Sequence, residues 1–171
     1  MPVRRLERYL RRHHVPCAIR RHPRAFTAME VAATTHVPGK ELAKVVMVTL
    51  DEELAMAVVP SSDMVDLDTL ADVAGVEKAL LATEEDFKRV FAGCEVGAMP
   101  PFGNLWGVPV YISESLAEDA EISFNAGTHD EIMTMSLDDF IDLVSPQIGR
   151  FSRPVRGGRP PRERYATPLP L

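Results

Sequence analysis

Residues 44–50, KVVMVTL, the pair Asp51-Glu52, and residues 53–59, ELAMAVV, decide the fold class. Two apolar runs rich in β-branched residues, split by two polar ones, predict an antiparallel hairpin. Asp-Glu is not the favoured turn pair, so the run pattern alone carries this reading.

Elements of both kinds surround the hairpin. On its N-terminal side, residues 3–14 place Leu6, Tyr9 and Leu10 at helical spacing among arginines, predicting an amphipathic helix with a basic outer face that Pro16 stops. Residues 17–21 alternate weakly and suit a short strand leading to His22-Pro23. Thr27 and Glu30 have capping-box spacing ahead of a helix through Val31, Ala32 and Ala33, which Pro38-Gly39 breaks.

On the C-terminal side, residues 66–74 carry Leu67, Leu70 and Val73 on a helical stripe, and Gly75 suits the position after the helix. Thr83 and Asp86 cap a helix predicted over residues 83–91. Strands are expected at 108–112, 121–125 and 131–135, and Ser136 caps a last helix to Val144. Hairpins outnumber crossovers. The expected class is therefore α+β, with a mixed, mainly antiparallel central sheet and surrounding helices. From Arg150 onward the chain is Arg, Pro and Gly with few apolar residues. The expected organisation is one domain over 1–149 and a disordered Arg/Pro-rich tail over 150–171.

Charge is unevenly spread. Residues 1–24 hold eight arginines against one acid, and residues 150–171 hold six against one. The stretch between holds five basic residues against twenty-three acids. An acidic body excludes a polyanion from most of the surface, so a nucleic acid would meet the two basic ends. Solvated termini are the alternative. No apolar run approaches a membrane span, no secretory signal opens the chain, and no DNA-reading motif is present. Cys17 and Cys94 form no CxxC, and the histidines show no metal-ligand spacing. A reducing cytoplasm and a metal-free, cofactor-free protein are expected.

Three segments could carry chemistry. Gly97-Ala98-Met99-Pro100-Pro101-Phe102-Gly103-Asn104 is too rich in Gly and Pro for a regular element. A rigid loop of this kind can aim the amides of Ala98 and Met99 at a carbonyl or carboxylate; an ordinary surface turn is the plainer reading. Lys44 opens an apolar strand in a body poor in lysine, where it could hold a phosphate or carbonyl or simply guard a strand end. The loop 125–130 presents His129. No GxSxG, phosphate-binding loop or paired-carboxylate signature accompanies them.

The order and spacing of these pieces resemble the family of the YbaK protein and the prolyl-tRNA synthetase-associated editing domain. The matching features are His22-Pro23 before the Thr27 helix, Ala43-Lys44-Val45-Val46 on a strand, Gly97 to Gly103, and Asn125-Ala126-Gly127-Thr128-His129. The likeness spans roughly residues 1–146. It implies hydrolysis of a mischarged aminoacyl-tRNA bearing a small amino acid, often on tRNA for proline. The family's functional lysine falls on Lys44 and its glycine-x-x-x-proline loop on Gly97, Ala98, Met99, Pro100 and Pro101. His22, Thr27, Phe102, Gly103, Asn125, Ala126, Gly127 and His129 are the implied substrate contacts. The expected partner is the acceptor end of an aminoacyl-tRNA, delivered alone or with a synthetase. A non-catalytic small-ligand or protein-binding module on the same scaffold is the other reading.

Overall fold

The computed structural model describes residues 2–25 and 41–155. The Thr27–Glu30 cap and its helix, Pro38-Gly39, and residues 156–171 lie outside the described residues.

Helix α1 (Pro2–Arg12) buries Leu6 and Leu10 and turns its arginines outward. Strand β1 (Ala18–Arg21) follows. The hairpin forms as expected, β2 (Leu42–Leu50) against β3 (Glu53–Pro60), with register Leu50↔Glu53 at the turn. Asp51 and Glu52 both adopt positive φ, 46° and 72°, which a two-residue hairpin turn requires. The Asp51 carboxylate compensates by accepting the amides of Glu77 and Lys78.

Next come β4 (Asp63–Val65), α2 (Leu67–Ala74), β5 (Ala79–Leu81) and α3 (Glu84–Phe87). Asp66 caps α2 through the Thr69 amide, and Gly75 ends it at φ 69°. Thr83 and Asp86 form the reciprocal capping box at α3. That helix stops after one turn rather than reaching Phe91; the chain continues to Gly93 in turns. The remaining elements are β6 (Val110–Ser113), β7 (Glu121–Asn125), β8 (Glu131–Ser136), α4 (Leu137–Val144), β9 (Gln147–Gly149) and β10 (Ser152–Pro154).

The main sheet runs β1-β8-β7-β2-β3-β6-β9, with β5 also paired to β2. Pairs β2/β7, β3/β6 and β6/β9 are parallel, and the others are antiparallel. The α+β reading with a mixed, mainly antiparallel sheet therefore holds.

Each sheet face has its own core. Ala43, Val45 and Met47 of β2 join Ile122, Phe124, Met133 and Met135 under α1 and α4. Val46, Val48 and Leu50 join Leu70 and Phe151 under α2. Alternation along β2 thus sends odd positions to one face and even positions to the other.

Four strands escaped the sequence reading because three residues are too few to show a period of two. The expected boundary at residue 150 is also corrected. Phe151 is 1% exposed in the second core, and Ser152–Pro154 pairs with Asp63–Val65. Ser152 Oγ also donates to Asp63 at 2.9 Å and lies 2.7 Å from Ser113 Oγ. One buried phenyl ring, invisible to a composition argument, ties residues 150–155 to the body.

Candidate functional site

Strand register brings Lys44 and Asn125 together. In the parallel β2/β7 pair, Ala43 lies opposite Phe124, so the next step sets Lys44 alongside Asn125. Asn125 pairs with Ile132 across β7/β8, and Ile132 pairs with Arg20 across β8/β1. Arg20, Ile132, Asn125 and Lys44 therefore form one row across four adjacent strands, ending at Val59 of β3. Neighbouring strands sit about 4.8 Å apart, so the row from Arg20 to Lys44 spans roughly 14 Å. All its members lie on the face opposite the α1/α4 core, since the residues flanking them in sequence, Ala43, Val45, Phe124 and Met133, fill that core. The adjoining row carries Thr134 and Ser123, whose hydroxyls are 2.7 Å apart. Among buried apolar residues of this face, Ile132, Leu42 and Val59, the two rows thus set a cation, an amide, two hydroxyls and a guanidinium.

Lys44 is the third residue of β2, not its first, and is half-buried. The side-chain oxygen Oδ1 of Asn125 is buried without a hydrogen-bond partner among the described residues. A buried acceptor of that kind costs about 1–3 kcal/mol unless a ligand or water meets it.

β7 ends at Asn125, and the chain turns through Ala126 and Gly127 against the Gly97 loop. Gly127 N–H donates to Ala98 O at 2.8 Å, and Glu95 N–H donates to Gly127 O at 2.9 Å. Gly97 and Gly127 have φ of 84° and 104°, a region that side chains rarely enter. His129 Nε2–H donates to Val96 O at 2.8 Å; a carbonyl only accepts, so the proton sits on Nε2.

Glu95, which the motif reading passed over, holds this junction. Its Oε2 accepts the His129 amide at 2.9 Å and the Arg24 guanidinium at 3.0 Å, and its Oε1 accepts both terminal Arg24 nitrogens at 3.1 Å. The Ala25 amide donates to His129 O, and the His22 amide to Asp130 O. The end of β1, the 95–99 loop and the 126–130 loop are thereby joined. A glutamate outside any regular element leaves no spacing signal; only its proximity to Gly97 could have drawn notice.

The structure distributes the expected site residues unevenly. Lys44, Asn125, Ala126, Gly127, His129, Gly97 and Ala98 come together around the end of β7. Of the two expected loop amides, that of Ala98 is committed, donating to Glu95 O at 3.0 Å. The Met99 amide makes no hydrogen bond among the described residues. Pro100 and Pro101 are both buried.

Phe102 and Gly103, expected against substrate, belong to the core instead. The Phe102 ring is fully buried, 5.7 Å from Phe124 and 5.4 Å from Phe140. A Cβ on Gly103 would fall 2.4 Å from Val108 O, so this glycine permits close packing. His22 is buried, its Nδ1–H on Pro23 O at 2.7 Å and its Nε2 without a partner among the described residues. Thr27 lies outside the described residues.

Neither cysteine suits a nucleophile. Burial pushes the Cys94 thiol up to about 11; the thiol of Cys17, on an exposed residue, is raised by partial desolvation and by the Glu7 carboxylate. Among the described residues no cluster of three metal-ligating side chains occurs.

The aminoacyl-tRNA editing domain family matches residues 22–143, which contain β2, β7, the Gly97 loop and His129. The chain belongs to this family. The editing domain also shares its fold with solved structures. A chain assigned as a candidate trans-editing enzyme for prolyl-tRNA synthetase superposes with TM-score 0.76 at 20% identity, over 89% of this chain and 97% of that one. The hypothetical protein APE2540 gives 0.78 at 16%, over 86% and 99%. A scaffold protein from work on epitope grafting gives 0.76 at 20%, over 90% and 98%. At such identities these likenesses establish the fold alone. No curated protein matches the chain. Within the described part of the editing domain, no helix is long and apolar enough to cross a membrane.

Proposed function

We propose that this editing domain is a trans-acting deacylase that hydrolyses the ester of a mischarged aminoacyl-tRNA bearing a small amino acid, with tRNA for proline as the leading carrier. The observation that carries the reading is Lys44 alongside Asn125, at the point where β7 gives way to a turn clamped onto the Gly97 loop. The catalytic set is Lys44 with Gly97, Met99 and the two prolines; His22, Asn125 and His129 border the substrate.

The chemistry asks little of side chains. Water, oriented or deprotonated by a group of the substrate itself, adds to the ester carbonyl. The bond from that carbonyl to the ribose oxygen then breaks, and the proton passes to the departing ribose hydroxyl. The developing oxyanion needs fixed positive charge and N–H dipoles, which the Lys44 ammonium and the Met99 amide can supply. The Asn125 amide can hold the terminal adenosine or the amino acid. The absence of an activated cysteine fits this scheme. The protein works in the cytoplasm, on acceptor ends presented free or by a synthetase. Single-turnover deacylation of a panel of mischarged tRNAs tests the reading: release of one small amino acid is expected. A wild type that binds these tRNAs yet releases nothing would leave the binding-module reading.

A further inference from the structure

We infer that the outer face of α1 is the surface that holds the phosphate backbone of the tRNA acceptor arm. This inference rests on the function proposed above. Arg4, Arg8 and Arg11 recur at i, i+4, i+7 and form one exposed stripe, with Arg12 beside it. At 1.5 Å per residue the stripe runs about 10 Å. None of these four arginines makes an ion pair among the described residues. Arg5, by contrast, lies over the Trp106 ring at 5.2 Å and donates to Leu105 O.

Two observations favour RNA as the occupant. First, the stripe is coupled to the site. Leu6 and Leu10 share a core with Met99 and Phe102, and the Tyr9 and Phe102 rings are 6.3 Å apart. The helix thus rests on the residues that close the Gly97 loop. A stem lying along α1 would bring its 3′ end towards that loop, while the acidic stretch over residues 25–149 repels it there. Second, among its described side chains α1 has no apolar face left for lipid. Leu6 and Leu10 are 0% and 1% exposed, and an interfacial helix needs that face in the bilayer.

The experiment measures binding of the full chain to an acceptor-arm RNA hairpin by anisotropy across a salt series. Each neutralised phosphate adds about 0.9 to the slope of log affinity against log salt. The variant R4Q/R8Q/R11Q/R12Q should lose about three units of slope and bind at least tenfold more weakly at low salt, while the matching lysine variant keeps the slope. If the quadruple variant folds poorly, R8Q/R11Q should lose about two units. Deacylation should show raised KM with an unchanged single-turnover rate at saturation. An unchanged slope overturns the inference. So does a charge-dependent affinity for phosphatidylglycerol vesicles with none for the hairpin. Because the binding arm needs no turnover, failure of the deacylase reading and failure of this surface are read separately.

Discussion

Glu95 Oε2 accepts the main-chain N–H of His129 at 2.9 Å, bridging the loop that contains Gly97 and the turn that follows β7. The same carboxylate grips Arg24, so three stretches distant in sequence meet on one side chain. Geometry at the end of β7 depends on it.

Glu95→Ala should therefore slow deacylation roughly tenfold, the equivalent of one charge-assisted hydrogen bond of about 1.5 kcal/mol. The Glu95 side chain is 33% exposed and that of Arg24 51%, so the guanidinium pair adds little to stability. Glu95→Gln, which can still accept the His129 amide, should recover most of the rate. Single-turnover kinetics of both variants beside melting curves provide the check. Equal rates for Glu95→Ala and wild type would dissolve the link between the junction and the chemistry.

Lys44→Ala should melt within a few degrees of wild type, because its neighbours Ala43 and Val45 carry the packing on the other sheet face. Loss of a charge-assisted contact of about 1.5–3 kcal/mol should cost on the order of ten- to a hundredfold in rate. Lys44→Arg should rescue only in part, since a planar fork replaces a point charge. Undiminished deacylation by Lys44→Ala would remove the lysine from the site.

Gly103→Ala and Gly97→Ala should separate packing from chemistry. A methyl on Gly103 meets backbone oxygen at 2.4 Å and Val110 Cγ2 at 2.8 Å, which predicts a loss of about 1–3 kcal/mol in stability. At Gly97 the nearest atom, His129 Cε1, is 3.6 Å away, so strain comes from the positive φ alone and falls on the loop. Denaturant midpoints should drop mainly for Gly103→Ala, and deacylation mainly for Gly97→Ala.

Acid should remove the α2 cap. The Thr69 amide holds the Asp66 carboxyl below its usual range. A depressed folded value means stability that is present above the unfolded value of about 4 and lost as pH falls through the folded one. Asp66→Ala should cost about 1 kcal/mol at neutral pH. The gap in melting temperature between wild type and variant should narrow below about pH 4. A gap that stays constant down to pH 2 would contradict the assignment.

Local features are readable from neighbouring residues alone. The β2/β3 hairpin, the caps at Asp66, Thr83 and Ser136, the stop at Gly75 and the irregular Gly97 loop depend on residues within a few positions of one another. Lys44, Asn125 and the Gly97 loop were legible because their spacing resembles a family pattern. Tertiary structure decided what that spacing cannot carry. Pairing of β2 with β7 set Lys44 beside Asn125, eighty-one residues on, and pairing of β8 with β1 put Arg20 in the same row. It sent Phe102 into the core, committed the Ala98 amide to Glu95, and drew Phe151 back onto the sheet. Those outcomes depend on burial and on strand neighbours far away in sequence, and neither composition nor periodicity encodes which distant strand a strand will choose.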